Sequence, residues 1–124
     1  PGGTLTVTGD ATARRALLLA LTGRLRLTGG DLKVLGHALP EEAGSLRRRA
    51  RFVAGASAEA EQILATPGDL VVIDDADRLS AAGRAAVAHL TGRTTLVVGA
   101  ADATAVHVLI PAITGNVLTL GGVQ

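Results

Sequence analysis

The sequence contains no cysteine, methionine, tryptophan or tyrosine, and its only aromatic residue is Phe52. Without cysteine the chain forms neither disulfide bonds nor thiolate metal sites, a composition that fits the cytosol. A single aromatic ring cannot provide the stacking platforms on which single-strand nucleic-acid binders hold bases. No apolar run approaches the ~20 residues that a membrane-spanning helix needs. We therefore expect a protein that neither inserts into a membrane nor binds nucleic acid.

The net charge is also small, +1 from 12 basic and 11 acidic residues, which gives the chain no general attraction for polyanions. Hydrophobic residues make up 48% of the chain, mostly alanine, leucine and valine, enough for a buried core in one domain. The chain starts at Pro1 without an initiator methionine and stops abruptly at Gln124. We expect residues 1–124 to be a single domain excised from a longer protein.

The pattern of apolar residues predicts alternating strands and helices. The run at 70–73 is continuously apolar, as is typical of a strand covered on both faces. Together with the other segments it predicts an α/β fold with a mainly parallel sheet flanked by helices. An antiparallel β-hairpin is expected from 25–28 and 32–35, with its turn at 29–31. The remaining strands are predicted at 4–8, 50–53, 94–98, 106–110 and 117–120. Helices are predicted at 16–21, after Pro40, at 57–65, and from the N-cap Ser80 to about Leu90. In the helix at 57–65, Ser57 is the predicted N-cap and Pro67-Gly68 closes the helix.

The first strand leads into eight residues, from Gly9 to Ala16, that align with the phosphate-binding motif G-x-x-x-x-G-K-[ST]. In such a motif, backbone N–H groups and a helix N-terminus bind the phosphates. Gly9, Thr12, Arg14 and Arg15 are the candidate nucleotide-binding residues. Arg14 replaces the second glycine, Arg15 the lysine and Ala16 the hydroxyl that binds magnesium, so the motif is degraded.

An acidic pair follows the predicted strand 70–73. In P-loop NTPases, an aspartate after four apolar residues holds Mg²⁺ and the next acid polarises the attacking water. Asp74 is thus the candidate magnesium ligand and Asp75 the candidate catalytic residue. The alternative is that both residues begin a loop and cap the following helix. Asp77 is interpreted as a loop or cap residue.

The order of these features resembles the nucleotide-binding domain of ABC transporters. The resemblance rests on the strand and P-loop position, the segment Thr28 to Gly36, the acidic pair, and the strand that ends in Gly99-Ala100-Ala101-Asp102. It implies a P-loop NTPase-like sheet and an ATP–magnesium site. Between Val53 and Leu70 the family has a helical subdomain ending in a Leu-Ser-Gly-Gly-Gln signature, and this chain lacks both.

Other positions also depart from the family pattern. Asp75 is one methylene shorter than the family's glutamate, and Ala101 stands at the switch histidine. The resemblance therefore implies a non-hydrolysing structural or regulatory docking module, with no cofactor or only weakly bound ATP and Mg²⁺. The implied partner is a membrane protein of a transport or export system, or another domain of the same chain. The implied location is the cytoplasm, at the inner face of the cell membrane. The resemblance leaves open whether the domain forms a homodimer.

Two alternatives stay open. The chain could be a working P-loop ATPase with a non-standard P-loop, of ABC or AAA type. The segment LVVIDDADRL favours the AAA type, whereas the hairpin before residue 36 opposes it. A basic run consists of Arg47, Arg48, Arg49 and Arg51. It is interpreted as a solvated face between a helix and a strand, and the alternative is a surface for nucleic acid, anionic lipid or an acidic partner. His37, His89 and His107 share no metal-ligand spacing.

Overall fold

The computed structural model describes residues 3–24, 32–34, 37–39, 43–66, 68–111, 113 and 116–120. Seven strands and five helices follow one another in the described part of the chain. Their bounds are β1 Thr4–Gly9, α1 Ala11–Leu21, β2 Leu32–Val34, β3 His37–Leu39, α2 Ala43–Arg49, β4 Ala50–Ala54, α3 Ala60–Leu64, β5 Leu70–Asp74, α4 Ala81–Leu90, β6 Thr95–Gly99, α5 Ala103–Leu109 and β7 Asn116–Leu120, with a short 3-10 helix at Ala76–Arg78 before α4.

Five of the described strands form one sheet in the order β4-β5-β6-β1-β7, and every neighbouring pair is parallel. The sheet is flanked by helices, so the predicted α/β class with a parallel sheet is confirmed and is compatible with a P-loop-like fold. Strand β6 lies between β1 and β5. The carboxyl ends of β1 and β5 nevertheless reach the same edge of the sheet, since Val7 pairs with Gly99 on β6 and Ile73 pairs with Val98.

The core has two layers, one on each face of the sheet. Val71 and Ile73 pack with α3, α4 and α5, whereas Leu70 and Val72 pack with α1 and α2. All five residues of β5 are buried. The absence of polar alternation in this strand is therefore explained, because helices cover both of its faces.

The predicted hairpin of 25–28 with 32–35 is not supported. Residues 25–28 lie outside the described residues, and Leu32–Val34 pairs antiparallel with His37–Leu39 instead. The start of the helix predicted after Pro40 also lies outside them, and α2 is described from Ala43. The hairpin was assigned from local alternation alone, which does not identify the partner of a strand.

The predicted strand at 106–110 is wrong, because this segment belongs to α5. Asp102 caps the helix by accepting a hydrogen bond from the Thr104 N–H at 2.9 Å. Val106 and Ile110 are buried at helical spacing, whereas Val108 is 70% exposed. A short apolar run fits a buried strand and a helix equally well, and here Val106, Leu109 and Ile110 pack in or against the core.

The observed bounds of two helices differ from the predicted ones. Helix α1 begins five residues before the predicted start at Ala16. Helix α3 is shorter than the predicted 57–65, and Ser57 accepts a hydrogen bond from the Glu59 N–H instead of capping the helix. Pro67, in the predicted helix end, lies outside the described residues. Ser80 does cap α4, accepting from the Gly83 N–H at 3.0 Å. No helix in the described part of the chain is both long and apolar enough to cross a membrane.

Candidate functional site

The connection between β1 and α1 consists of one residue. Strand β1 ends at Gly9, which has φ of +117°, and α1 begins at Ala11. The intervening Asp10 accepts a hydrogen bond from the Ala13 N–H at 2.9 Å. A P-loop holds phosphates with backbone N–H groups of an extended loop and the first helical turn. Here the aspartate occupies that helix N-terminus with its own negative charge, and no extended loop is present between β1 and α1.

Arg14 is a regular residue of α1, so its replacement of glycine causes no left-handed backbone strain. Its side chain is 3% exposed. The guanidinium turns back toward the strand end, and Nη1 donates to the Gly9 carbonyl at 2.8 Å. The carbonyl of the surviving motif glycine is thus bound by an arginine side chain.

Two arginines and two aspartates form a closed network at the carboxyl edge of the sheet. Arg14 donates from Nε to Asp74 Oδ1 at 2.8 Å and from Nη2 to Asp75 Oδ1 at 3.1 Å. Arg15 donates from Nε to Asp74 Oδ2 at 2.5 Å and from Nη2 to Asp75 Oδ2 at 3.1 Å. Each guanidinium bridges both carboxylates, and each carboxylate accepts from both guanidiniums. We call these four residues the ion-pair cluster.

The network holds Asp74 in its charged form. Burial alone would raise the pKa of Asp74, but hydrogen bonds from Arg15 and Arg14 outweigh that effect and lower the pKa below its ordinary value. The hydrogen bond to Asp74 is the main cause that raises the pKa of Arg15. The charge of the buried Asp74 is thus stabilised by its arginine partners, while Arg15 is partly exposed to solvent as well.

Asp75 adopts a left-handed conformation, with φ of 52° and ψ of 45°, directly after β5. Its N–H donates to Asp74 Oδ1 at 2.9 Å, which links the two acids along the backbone. Left-handed geometry in a residue other than glycine is uncommon and often marks a functional turn. Asp77 is outside the ion-pair cluster and lies within the 3-10 helix that follows, whereas the sequence predicts a loop or cap residue.

Two glycines that sequence reasoning missed make room for the ion-pair cluster. A Cβ on Gly99 would lie 2.8 Å from Asp74 Oδ1 and 3.3 Å from Arg14 Cδ. A Cβ on Gly55 would lie 2.0 Å from the Asp75 carbonyl oxygen. Both glycines lie at or just after the ends of strands beside β5, on β6 and after β4. A glycine at the end of a neighbouring strand is the signal that could have pointed to them.

Phe52 was also missed as a neighbour of the site. The guanidinium carbon of Arg15 lies 5.3 Å from the centroid of the Phe52 ring on β4. A cation–π contact at that distance is worth about 0.5–1 kcal/mol at an exposed site. The contact helps to hold Arg15, whose side chain is 39% exposed, in the orientation that reaches the two carboxylates.

The surrounding pocket has a volume of about 330 Å³ and is lined by Ala11, Thr12 and the ion-pair cluster. The structure thus brings together five of the predicted site residues: Thr12, Arg14, Arg15, Asp74 and Asp75, with Gly9 bound through its carbonyl. Two positive and two negative charges cancel in the cluster. Within the described ranges, no group of three or more metal-ligating side chains is positioned to hold a metal ion.

No model of a known protein family matches this chain. No curated protein matches it either. The function must therefore be argued from the geometry of the ion-pair cluster and from the resemblance described above.

Proposed function

We propose that this chain is a degenerate ABC-type ATP-binding domain that acts as a non-hydrolysing structural or regulatory docking module. The observation that carries the proposal is the ion-pair cluster. The carboxylates expected to serve a metal and a water, Asp74 and Asp75, accept hydrogen bonds from the two arginines that replace the motif's glycine and lysine. Acidic and basic side chains of the kinds that an ATPase site uses are present, but they form ion pairs with one another.

Electrostatics oppose nucleotide binding at this position. A triphosphate is attracted by a surplus of positive charge and by unoccupied N–H donors. The cluster offers no net charge, and Asp10 occupies the helix N-terminus. Seating Mg²⁺ on Asp74 would require separating it from Arg14, whose side chain is 3% exposed. Removing one partner of a buried ion pair costs about 3–5 kcal/mol, which a ligand would have to supply.

The partner in this proposal is a protein: a membrane protein of a transport or export system at the cytoplasmic face of the cell membrane, or another domain of the same chain. The ABC-like order of features supports this choice. Exposed apolar side chains also support docking, since Val117 and Leu118 on the edge strand β7 are 44% and 43% exposed. Successive residues of a strand point to opposite faces, so β7 exposes one apolar side chain on each face beside an unpaired sheet edge, and such an edge is a surface on which another chain can pair.

A nucleotide titration followed by the melting temperature tests the proposal. We expect no upward shift of the wild-type melting temperature with ATP that depends on magnesium, because the ion-pair cluster blocks the site. A ligand at ~100 times its Kd would stabilise the fold by about 2.7 kcal/mol, which is readily detected. A variant with Arg14→Gly, Arg15→Lys and Ala16→Ser provides the comparison. Because Asp10 and the one-residue connection between β1 and α1 remain in it, a magnesium-dependent shift in this variant would show that the two arginines alone block the site.

The competing function is a working ATPase of ABC or AAA type with a non-standard P-loop. The position of Asp74 and Asp75 beside Arg15 at the carboxyl edge of the sheet favours it. The antiparallel pair of Leu32–Val34 with His37–Leu39 still opposes the AAA type. A magnesium-dependent shift in the wild-type chain, lost in Asp74→Asn, would overturn the docking module in favour of this ATPase.

A further inference from the structure

Three arginines converge at the other end of the sheet, where the parallel strands begin. Arg24 follows α1, Arg47 belongs to α2 and Arg51 is the second residue of β4. Arg24 Nη2 and Arg51 Nη1 donate to the same oxygen, the Ala50 carbonyl, at 3.2 and 3.4 Å. We call Arg24, Arg47 and Arg51 the arginine triad.

Arg47 is held beside Arg24 and Arg51 by a hydrogen bond to the backbone just before Arg24. Arg47 Nη1 donates to the Gly23 carbonyl at 3.2 Å, and Arg24 Nη1 donates to the Thr22 carbonyl at 3.3 Å. Burial first, and then the charges of Arg51 and Arg47, lower the pKa of Arg24. The charges of Arg51 and Arg47 are thus close enough to Arg24 to act on it.

Within the described residues, the triad donates hydrogen bonds to neutral backbone carbonyls. Within the described ranges, the ion pairs join other arginines to aspartates, and none involves Arg24, Arg47 or Arg51. Each guanidinium also has more N–H donors than these contacts use. Arg24 and Arg47 are exposed. A set of like charges that is fixed by carbonyls and open to solvent is completed by an anion with several acceptor oxygens.

We propose that the arginine triad binds a phosphate group. Planar guanidinium forks match the oxygens of a phosphate, and a multiply charged anion gains from all three arginines at once. The site is separate from the ion-pair cluster: β4 spans the sheet between Ala50 and Ala54, about 13 Å at ~3.3 Å per residue, and Ala54 pairs with Asp74. The inference is therefore independent of the proposed function.

Thermal denaturation with inorganic phosphate or pyrophosphate, at constant ionic strength set with chloride, tests the triad. We expect an upward shift of a few degrees, larger for pyrophosphate. In Arg24→Gln and Arg51→Gln the apparent affinity should fall on the order of tenfold for each charge removed. Because each variant is compared with and without anion, a change in its own stability does not obscure the result.

Arg84→Gln is the matched control. Arg84 Nη1 also donates to a backbone carbonyl, that of Leu79 at 2.8 Å, but Arg84 stands outside the triad, on α4. This variant should keep the full anion-induced shift. Binding to phosphatidylcholine vesicles that contain phosphatidic acid, compared with phosphatidylcholine alone, distinguishes a lipid headgroup from a soluble phosphate. The proposal is wrong if neither the anions nor the vesicles bind, or if Arg24→Gln and Arg51→Gln bind as well as Arg84→Gln does.

Discussion

Four side chains decide the chemistry of the candidate site. In a P-loop, a compact lysine and a glycine leave space that the phosphates fill. Arg14 and Arg15 fill that space with their own guanidiniums, and both reach across to the acids after β5. Neither substitution alone would close the site this way, because each carboxylate accepts from both arginines. The proposed loss of ATPase function therefore arises from the ion pairs that the two arginines form with the two aspartates, and not only from the absence of the motif's glycine and lysine.

We expect Asp74→Asn to lower the free energy of unfolding by about 3–5 kcal/mol, because it leaves a buried arginine without its charge partner. Asp69→Asn is the matched control. Asp69 pairs with Arg49 at 2.8 Å, but its side chain is 62% exposed, so the same change there should cost about 0–1 kcal/mol. Urea denaturation of both variants measures the difference. Equal decreases in unfolding free energy for Asp74→Asn and Asp69→Asn would show that the buried ion pairs stabilise the fold no more than an exposed one does.

At the scale of elements, strand ends and helix starts place these side chains. The single-residue connection between β1 and α1 brings Arg14 one turn into the helix, facing the end of β5. The glycine that ends β6 leaves the space in which Arg14 and Asp74 meet. The site is therefore built by the start of α1, the end of β5 with the turn that follows it, and the end of β6.

Gly99→Ala tests this packing. Its Cβ would lie 2.6 Å from Leu18 Cδ1 and 2.8 Å from Asp74 Oδ1, so the aspartate has to shift. We expect a loss of about 1–3 kcal/mol in unfolding free energy, measured by urea denaturation. Gly44→Ala in α2 is the control, since its nearest atom would be Arg47 Nη2 at 3.7 Å. That substitution should stabilise the helix by about 0.5–1 kcal/mol, and a similar gain at Gly99 would contradict the packing argument.

At the scale of the whole molecule, the charges separate into two regions. The ion-pair cluster is neutral and lies at the carboxyl end of the sheet, while the arginine triad lies at the amino end of β4. The apolar side chains that remain exposed include those on the edge strand β7. A sequence with a net charge of only +1 can thus carry one region of locally unbalanced positive charge, which the net charge alone conceals.

The pH dependence of global stability follows from the cluster. Because the folded-state pKa of Asp74 is lowered, its contribution is complete above the unfolded-state value, ~4, and is lost as the pH falls through the lower folded value. We therefore expect the stability difference between wild type and Asp74→Asn to be constant near neutrality and to shrink below about pH 4. Urea midpoints measured from pH 7 downward would show it, and a difference that grows in acid would be inconsistent with a lowered pKa.

The sequence by itself determined the α/β class, the parallel strands and the residues of the candidate site, because buried strands and motif spacing are local patterns. It did not determine that 106–110 is helical, since a short apolar run shows no clear period and only packing decides which positions are buried. Nor did it show that Arg14 and Arg15 bind Asp74 and Asp75. These pairs are about sixty residues apart in the chain, and only the order of the strands, with Gly99 between them, brings the charges into contact.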